Sequence, residues 1–180
     1  TITAYSDSKE YDGTALTNNG YTYTQGILVQ GDVLTADVEG SITDAGTQSN
    51  VVTSYVVMRG EEDVTENYNF GASVPGTLTV TKREVTLTSG SAERTYNGTA
   101  LTNETVTVGG DGFVEGEGAT YDVKGSQTDV GSSTNTFTYA LNDGTNPDNY
   151  AIEMEFGTLT VKRIAAPITI TAASDSKMYD

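Results

Sequence analysis

Residues 150–156 read Tyr-Ala-Ile-Glu-Met-Glu-Phe, with an apolar side chain at every second position. This period of two is typical of a β-strand with one buried face, because successive side chains of a strand point to opposite faces. Residues 21–23, 34–38 and 137–141 show the same alternation. The chain lacks a window with the spacing of an amphipathic helix. We therefore predict an all-β protein.

Turn signals separate these stretches. Asn18-Asn19-Gly20, between Leu16 and Tyr21, is typical of a two-residue type I′ hairpin turn. Asp12-Gly13 and Asn97-Gly98 are further turn dipeptides. We predict a hairpin at the first position and simple turns at the other two.

The chain contains an internal repeat. Residues 9–17, Lys-Glu-Tyr-Asp-Gly-Thr-Ala-Leu-Thr, recur 85 positions later as Arg-Thr-Tyr-Asn-Gly-Thr-Ala-Leu-Thr at residues 94–102. The sequence Gly-Thr-Leu-Thr-Val occurs at both 76–80 and 157–161. The opening starts a third time at residues 177–180. A period of this length is too long for a solenoid unit and matches a small independent domain.

We predict two tandem homologous β-sandwich modules, Ig-like in layout, at residues 1–83 and 84–166. Residues 167–180 are predicted to be the first strand of a truncated third repeat. β-Grasp modules with one short helix are the alternative fold. The junctions between repeats are short and are not Gly/Ser tethers, which favours an elongated array with little burial between repeats.

The tail raises a separate question, because an isolated strand frays unless it is tied down. Ile168 and Ile170 would lie on one face of such a strand. We hypothesise that residues 168–180 dock on the second module or extend its last strand, so that the true boundaries lie later than the repeat indicates.

Composition excludes several functions. The 180 residues carry 9 Lys and Arg against 25 Asp and Glu, a net charge of −16, with no Cys, His or Trp. This composition excludes catalytic triads that need His or Cys, disulfide frameworks, and metal sites with His or Cys ligands. The negative charge disfavours nucleic acid and anionic membranes as partners. No apolar run approaches a transmembrane length, so we expect no membrane insertion.

Several short sequence motifs together resemble a known module. They are residues 9–17, 31–36, 40–46, Asn67-Tyr68 and residues 76–80. In this order they resemble the MBG/YDG-type tandem repeat module of bacterial cell-surface and adhesin-like proteins. The resemblance implies an extracellular location on the bacterial cell surface, an anchor outside this sequence, and neighbouring repeats of the same chain as partners. It implies no catalytic residues.

Paired carboxylates are the remaining route to catalysis. Glu61-Glu62-Asp63 and the group formed by Asp111, Glu115 and Glu117 are the candidates. Both lie in predicted Gly-rich loops without an aromatic platform, so we interpret them as solvated turns. We predict that the protein is not an enzyme, with no catalytic, cofactor-binding or metal-binding residues.

Two further chemistries stay open as alternatives. The oxygen-rich residues 142–149 resemble a loop that binds a hard cation, so structural calcium is an alternative to our prediction of no cofactor. A Lys–Asn isopeptide crosslink is the second. The chain has five lysines as candidates for it: Lys9, Lys82, Lys124, Lys162 and Lys177.

The function predicted from these observations is mechanical. We expect structural spacer or stalk modules that extend a distal binding region away from the cell. The alternative is that the modules bind a host protein or glycan through loops or edge strands. Repetition favours the spacer, because a specific site is seldom needed in every copy.

Overall fold

The computed structural model describes residues 1–25 and 27–179. Within them the first repeat forms seven strands and one 3-10 turn: β1 (Ile2–Ala4), β2 (Asp7–Glu10), β3 (Tyr21–Tyr23), β4 (Asp32–Glu39), β5 (Gly46–Arg59), β6 (Glu62–Asp63), the turn at Thr65–Asn67, and β7 (Gly76–Thr81).

Within the described residues the second repeat forms eight strands and one 3-10 turn. Its elements are β8 (Arg83–Ser89), β9 (Ala92–Thr95), β10 (Val106–Gly110), β11 (Ala119–Val123), β12 (Gly131–Thr134), β13 (Phe137–Leu141), a 3-10 turn at Pro147–Asn149, β14 (Tyr150–Glu155) and β15 (Thr158–Lys162). Two shorter strands, β12 and β13, stand where the first repeat has β5. The prediction of an all-β, sandwich-type fold is confirmed. The β-grasp alternative is wrong, because the described residues contain no α-helix.

The largest sheet of the first repeat has the strand order β2-β7-β5-β4. The short strand β6 pairs with the C-terminal end of β5. β2 runs parallel to β7, and β5 runs antiparallel to both β7 and β4. β1 pairs with β3 in a second, smaller sheet. In β4 every second residue is buried, as the alternation predicts. One core cluster of this repeat consists of Ile2, Leu34, Ala36, Val57 and Val64.

The second repeat reproduces this pairing. β9 runs parallel to β15, with Ala92 opposite Leu159, as Asp7 lies opposite Leu78 in the first repeat. β12 is antiparallel to β15, and further sheets have the orders β11-β13 and β10-β8-β14. The sequence repeat therefore also repeats most of the strand pairing, whereas among the described residues the pairing of β14 with β8 occurs only in the second repeat and that of β6 with β5 only in the first.

By spatial proximity the chain forms two compact units. The first contains Thr1–Leu87, Val108–Thr120 and Ala140–Met154, and the second contains Thr88–Thr107, Tyr121–Tyr139 and the residues from Glu155 onward. The first unit therefore joins the first repeat to two segments of the second repeat. The module limits at 83/84 and 166/167 stay predictions from the sequence repeat.

The hairpin predicted around Asn18-Asn19-Gly20 is wrong. Leu16 bridges to Ile42, whereas β3 pairs with β1, so the two flanking stretches do not pair with each other. A type I′ turn needs positive φ at both central residues, and Asn19 and Gly20 do not adopt it. Instead the Asn18 carbonyl accepts a hydrogen bond of 2.7 Å from the buried side chain of Asn50.

The strand predicted at residues 150–156 is present as β14, but its buried face is shorter than its alternation indicates. Tyr150 is buried, whereas Met154 is 47% exposed and Phe156 is 44% exposed. β14 lies at the end of the three-stranded sheet β10-β8-β14. Its C-terminal half is therefore less covered than its first residue.

The hypothesis that the tail docks on the second module is wrong for the described residues. Residues 163–179 contain no strand, and the Ile168 and Ile170 side chains are each 92% exposed. In the first repeat the equivalent strands β1 and β2 pair with β3 and β7, which come later in the same repeat. Residues 163–179 do not form such strand pairs. Asp180 lies outside the described residues.

Candidate functional site

The repeated word Lys-x-Tyr-Asp-Gly-Thr builds a tight turn, which we call the Tyr11 turn (residues 9–14). Asp12 Oδ1 accepts hydrogen bonds from the Thr14 amide at 2.9 Å, the Thr14 hydroxyl at 2.7 Å and the Lys9 ammonium at 2.6 Å. Gly13 has φ of +79°, which favours glycine. The Lys9 ammonium and then the Thr14 donors hold the pKa of Asp12 well below its usual range.

The second copy of the word builds the same turn with different residues. Asn97 Oδ1 accepts from the Thr99 amide at 3.1 Å and from its hydroxyl at 2.9 Å. Arg94 takes the place of Lys9 and donates to the Thr99 carbonyl. Because an amide replaces the carboxylate with the turn intact, the Asp of the word has a structural role.

Within the first compact unit, the Tyr11 turn packs against segments of the second repeat. The Tyr11 side chain is only 5% exposed, and its ring meets that of Tyr150 edge to face at 5.6 Å. Its hydroxyl donates a 2.6 Å hydrogen bond to Glu117 Oε1. A Cβ on Gly13 would lie 3.0 Å from Val114 Cγ1, so the turn fits closely. The expectation of little burial between repeats is therefore wrong at this contact.

The surface that receives Tyr11 consists of Val114, Glu117 and Tyr150, and we call it the Glu117 seat. Glu117 Oε2 accepts a 2.9 Å hydrogen bond from the Tyr150 hydroxyl. The Val114 amide donates to the same hydroxyl oxygen at 3.1 Å. Phe113 packs edge to face on the Tyr150 ring at 5.1 Å. The two oxygens of one carboxylate thus bind one tyrosine from each repeat.

This arrangement changes how the two phenols titrate. The hydrogen bond to Glu117, then burial and then the charge of Glu117, raise the pKa of Tyr11 to about 12. Burial, with a smaller effect of Glu117, raises the pKa of Tyr150. Both hydroxyls therefore stay protonated, and able to donate, well above neutral pH.

We expect the Tyr11 contact to be lost at alkaline pH. The unfolded chain releases the Tyr11 proton near pH 10, whereas the folded chain keeps it until about pH 12. The stabilisation is therefore complete below pH 10 and falls by about 2–3 kcal/mol between pH 10 and 12. Urea unfolding of the wild-type and Tyr11→Phe proteins across this range measures it, because the tyrosines that do not share Glu117 with Tyr11 cancel in the difference. A difference that does not vary with pH would contradict the expectation.

Arg83 adds a second connection beside the turn. Its Nε donates to the Gly112 carbonyl at 2.8 Å, and its Nη2 donates to the Asp111 carbonyl at 2.6 Å. Nη1 donates to Glu10 Oε1 at 3.0 Å. One guanidinium at the start of β8 therefore binds a strand of the first repeat and a loop of the second repeat at once.

Asn149 adds a third connection and explains part of the oxygen-rich loop at residues 142–149. Asn149 is 1% exposed. Its Nδ2 donates a hydrogen bond to Asp44 Oδ1 at 2.9 Å. Its Oδ1 accepts one from the Ala45 amide at 2.8 Å. Within the same loop, Asn146 caps the 3-10 turn by accepting from the Asp148 amide. These oxygens have partners inside the protein.

The other carboxylates singled out in the sequence do not converge on one site. Asp63 accepts from the amide and hydroxyl of Thr65, which lowers the pKa of Asp63. Glu115 is exposed, and Glu117 belongs to the seat. Among the described residues no three Asp, Glu, His or Cys side chains group closely enough to hold a metal ion.

Three of the five lysines lie against carboxylates. Lys9 binds Asp12, Lys124 binds Asp122 at 2.7 Å, and Lys162 binds Glu93. Asn50 and Asn135, two fully buried asparagines, donate instead to backbone carbonyls. These contacts give the isopeptide alternative no support at those lysines.

Sequence reasoning misses the Glu117 seat, although a signal for it exists. The dipeptide Asn149-Tyr150 repeats Asn67-Tyr68, and both of its side chains contribute to the contact between repeats. From the sequence this word is only a marker of the repeat, and Glu117 belongs to a predicted solvated loop.

Comparisons with known proteins add no relative. No protein-family model, no curated protein and no solved structure matches this chain. Within the described residues, no helix has the length and apolar character needed to cross a membrane.

Proposed function

We propose that the chain is a spacer made of MBG/YDG-type repeats of a bacterial cell-surface, adhesin-like protein, in which consecutive repeats couple to one another. The observation that carries this proposal is the seating of Tyr11 on Glu117 and Tyr150 of the next repeat. The motif that recurs most clearly in the sequence is thus the one that binds the neighbouring repeat. This use favours a role in connecting consecutive repeats. The spacer extends a distal binding region from the cell surface.

The residues behind the resemblance support this proposal. Asp12, Gly13 and Thr14 build the turn that is seated, and the Asn-Tyr word contributes to the contact that receives it. At this contact the signature residues connect one repeat to the next. A module selected for binding a ligand would be expected to place its recurring residues on a free surface.

The edge strand of the first repeat also favours a spacer over a module that binds by strand addition. β4 is the last strand in its sheet order and carries Asp37 and Glu39 on its exposed positions. A register shift between Asp37 and Val38 interrupts its pairing with β5. Charges and bulges on an edge strand discourage the addition of another strand. The net charge of −16 further opposes aggregation of the modules.

The spacer proposal is tested by measuring how firmly the repeats are coupled. The chain has no Cys, so two introduced cysteines can be spin-labelled uniquely. Val33→Cys, on an exposed face of β4, and Asp143→Cys, in the second repeat, both lie in the first compact unit. We expect a single narrow distribution of distances between the labels by pulsed electron resonance.

Tyr11→Ala should broaden that distribution, whereas the matched variant Tyr96→Ala should leave it narrow. A broad distribution in the otherwise unsubstituted chain would contradict the proposal. So would a distribution that stays equally narrow after Tyr11→Ala, because the coupling would then not depend on this contact.

A further inference from the structure

The second repeat carries its own copy of the seated turn, which we call the Tyr96 turn (residues 94–99). Its backbone is held as in the first copy: the Tyr96 amide donates to the Lys162 carbonyl at 2.8 Å, and the Tyr11 amide donates to the Thr81 carbonyl at 2.9 Å. Yet Tyr96 is 38% exposed whereas Tyr11 is 5% exposed. The same element is therefore covered in one copy and open in the other.

The glycines of the two turns show the same difference. Both Gly13 and Gly98 have φ of +79°. A Cβ on Gly13 would meet Val114 at 3.0 Å, whereas a Cβ on Gly98 would have nothing within 4 Å. Nothing among the described residues takes the place of Val114 beside the Tyr96 turn.

Both repeats contain an equivalent of the Glu117 seat. In the first repeat Asp32 Oδ2 accepts from the Tyr68 hydroxyl at 2.6 Å, and the Val29 amide donates to that hydroxyl oxygen at 2.9 Å. These three residues match Glu117, Tyr150 and Val114 in the repeat alignment. Arg59 binds both oxygens of the Asp32 carboxylate in this copy.

We propose that the Tyr96 turn is a docking surface for a further copy of the repeat, with the Tyr96 hydroxyl donating to the acidic side chain of that copy's seat. The inference rests on the proposed tandem function. The sequence supports this occupant, because residues 169–179 match residues 1–11 at nine of eleven positions. Six residues separate Val161 from Ile168 and four separate Val80 from Val85, so the connection is long enough for the same contact.

The test replaces residues 169–180 by one further repeat, so that residues 1–168 are followed by a second copy of residues 86–166. In that copy the counterpart of Tyr96 is changed to Phe, so that only the original Tyr96 gives its peptide mass. The readout is the rate at which tetranitromethane nitrates each tyrosine, measured by peptide mass spectrometry. Nitration of Tyr96 should slow at least ten-fold relative to the 180-residue chain, to the rate of Tyr11. Tyr11 serves as the internal reference for folding of the first two repeats.

A matched variant assigns the protection to the seat. Glu117→Ala in the appended copy alone should restore the nitration rate of Tyr96, and Glu117→Gln there should restore it less. An unchanged rate at Tyr96 in the extended chain would overturn the proposal, because a repeat that needs this contact would have covered the turn. That result would leave the spacer proposal standing, since the distance measurement between the labels at 33 and 143 does not involve Tyr96.

Discussion

Tyr11→Ala is expected to lower the free energy of unfolding by about 3–5 kcal/mol, the usual cost of removing a large buried aromatic side chain. The variant loses the ring contact with Tyr150 and leaves one oxygen of Glu117 without its phenol donor. Glu117 is only partly buried, so water can replace part of that hydrogen bond, and most of the loss comes from packing.

Tyr96→Ala is the matched control, because it removes the same residue type from the same turn. Tyr96 is partly exposed, so we expect a loss below about 1 kcal/mol. Urea unfolding of both variants, monitored by circular dichroism, gives the two values. Equal losses would show that the turn itself, and not the contact with the seat, accounts for the stability.

Gly76→Ala is expected to have a similarly large effect, at least about 3 kcal/mol, or to prevent folding. A Cβ at this position would lie 2.2 Å from the Tyr5 carbonyl oxygen and 2.8 Å from that of Ala4. Both obstructing atoms belong to the backbone, so β1 and β7 would have to move apart. The second repeat has the same constraint at Gly157, whose Cβ would lie 2.5 Å from the Ser89 carbonyl oxygen.

Gly109→Ala is the control for the added methyl group and for the change in unfolded-chain entropy. The nearest atom to its Cβ would be the Thr86 carbonyl oxygen at 3.7 Å, an ordinary contact. We expect its free energy of unfolding to change by less than about 1 kcal/mol. If Gly76→Ala proved equally mild, close backbone approach would not be the reason for the glycine in Gly-Thr-Leu-Thr-Val.

The alternation of apolar and polar residues predicts a strand well where one face of that strand packs against residues of the same repeat. β4 follows its alternation at every position from Asp32 to Glu39, because both it and its neighbour β5 lie in one sheet. The turns at Asp12-Gly13 and Asn97-Gly98 are also predictable, since a positive φ at glycine is a local property.

The predictions fail where distant residues decide the structure. The Asn18-Asn19-Gly20 hairpin signal is overridden because the buried Asn50 donates to the carbonyls of Tyr5 and Asn18 and so fixes both segments. Asn135 makes the equivalent pair of bonds in the second repeat. These two asparagines match in the repeat alignment, but a residue match does not reveal which carbonyls they bind.

The candidate site is the least predictable part for the same reason. Tyr11 and Glu117 lie 106 positions apart in the sequence. Tyr11 belongs to a turn motif, and Glu117 belongs to a Gly-rich segment. Neither residue carries a local signature of pairing. The contact arises because the end of β2 and the loop before β11 come together in one compact unit.

The most direct test of the coupling between repeats is a double-mutant cycle with Tyr11→Phe and Glu117→Gln, measured by urea unfolding at pH 7. Both substitutions keep the shape of the side chain. Tyr11→Phe removes the donor of the hydrogen bond, and Glu117→Gln replaces its charged acceptor by a neutral amide oxygen. A phenol bound to a carboxylate should give a coupling energy of about 1–2 kcal/mol. A coupling energy indistinguishable from zero would contradict the claim that this pair connects consecutive repeats.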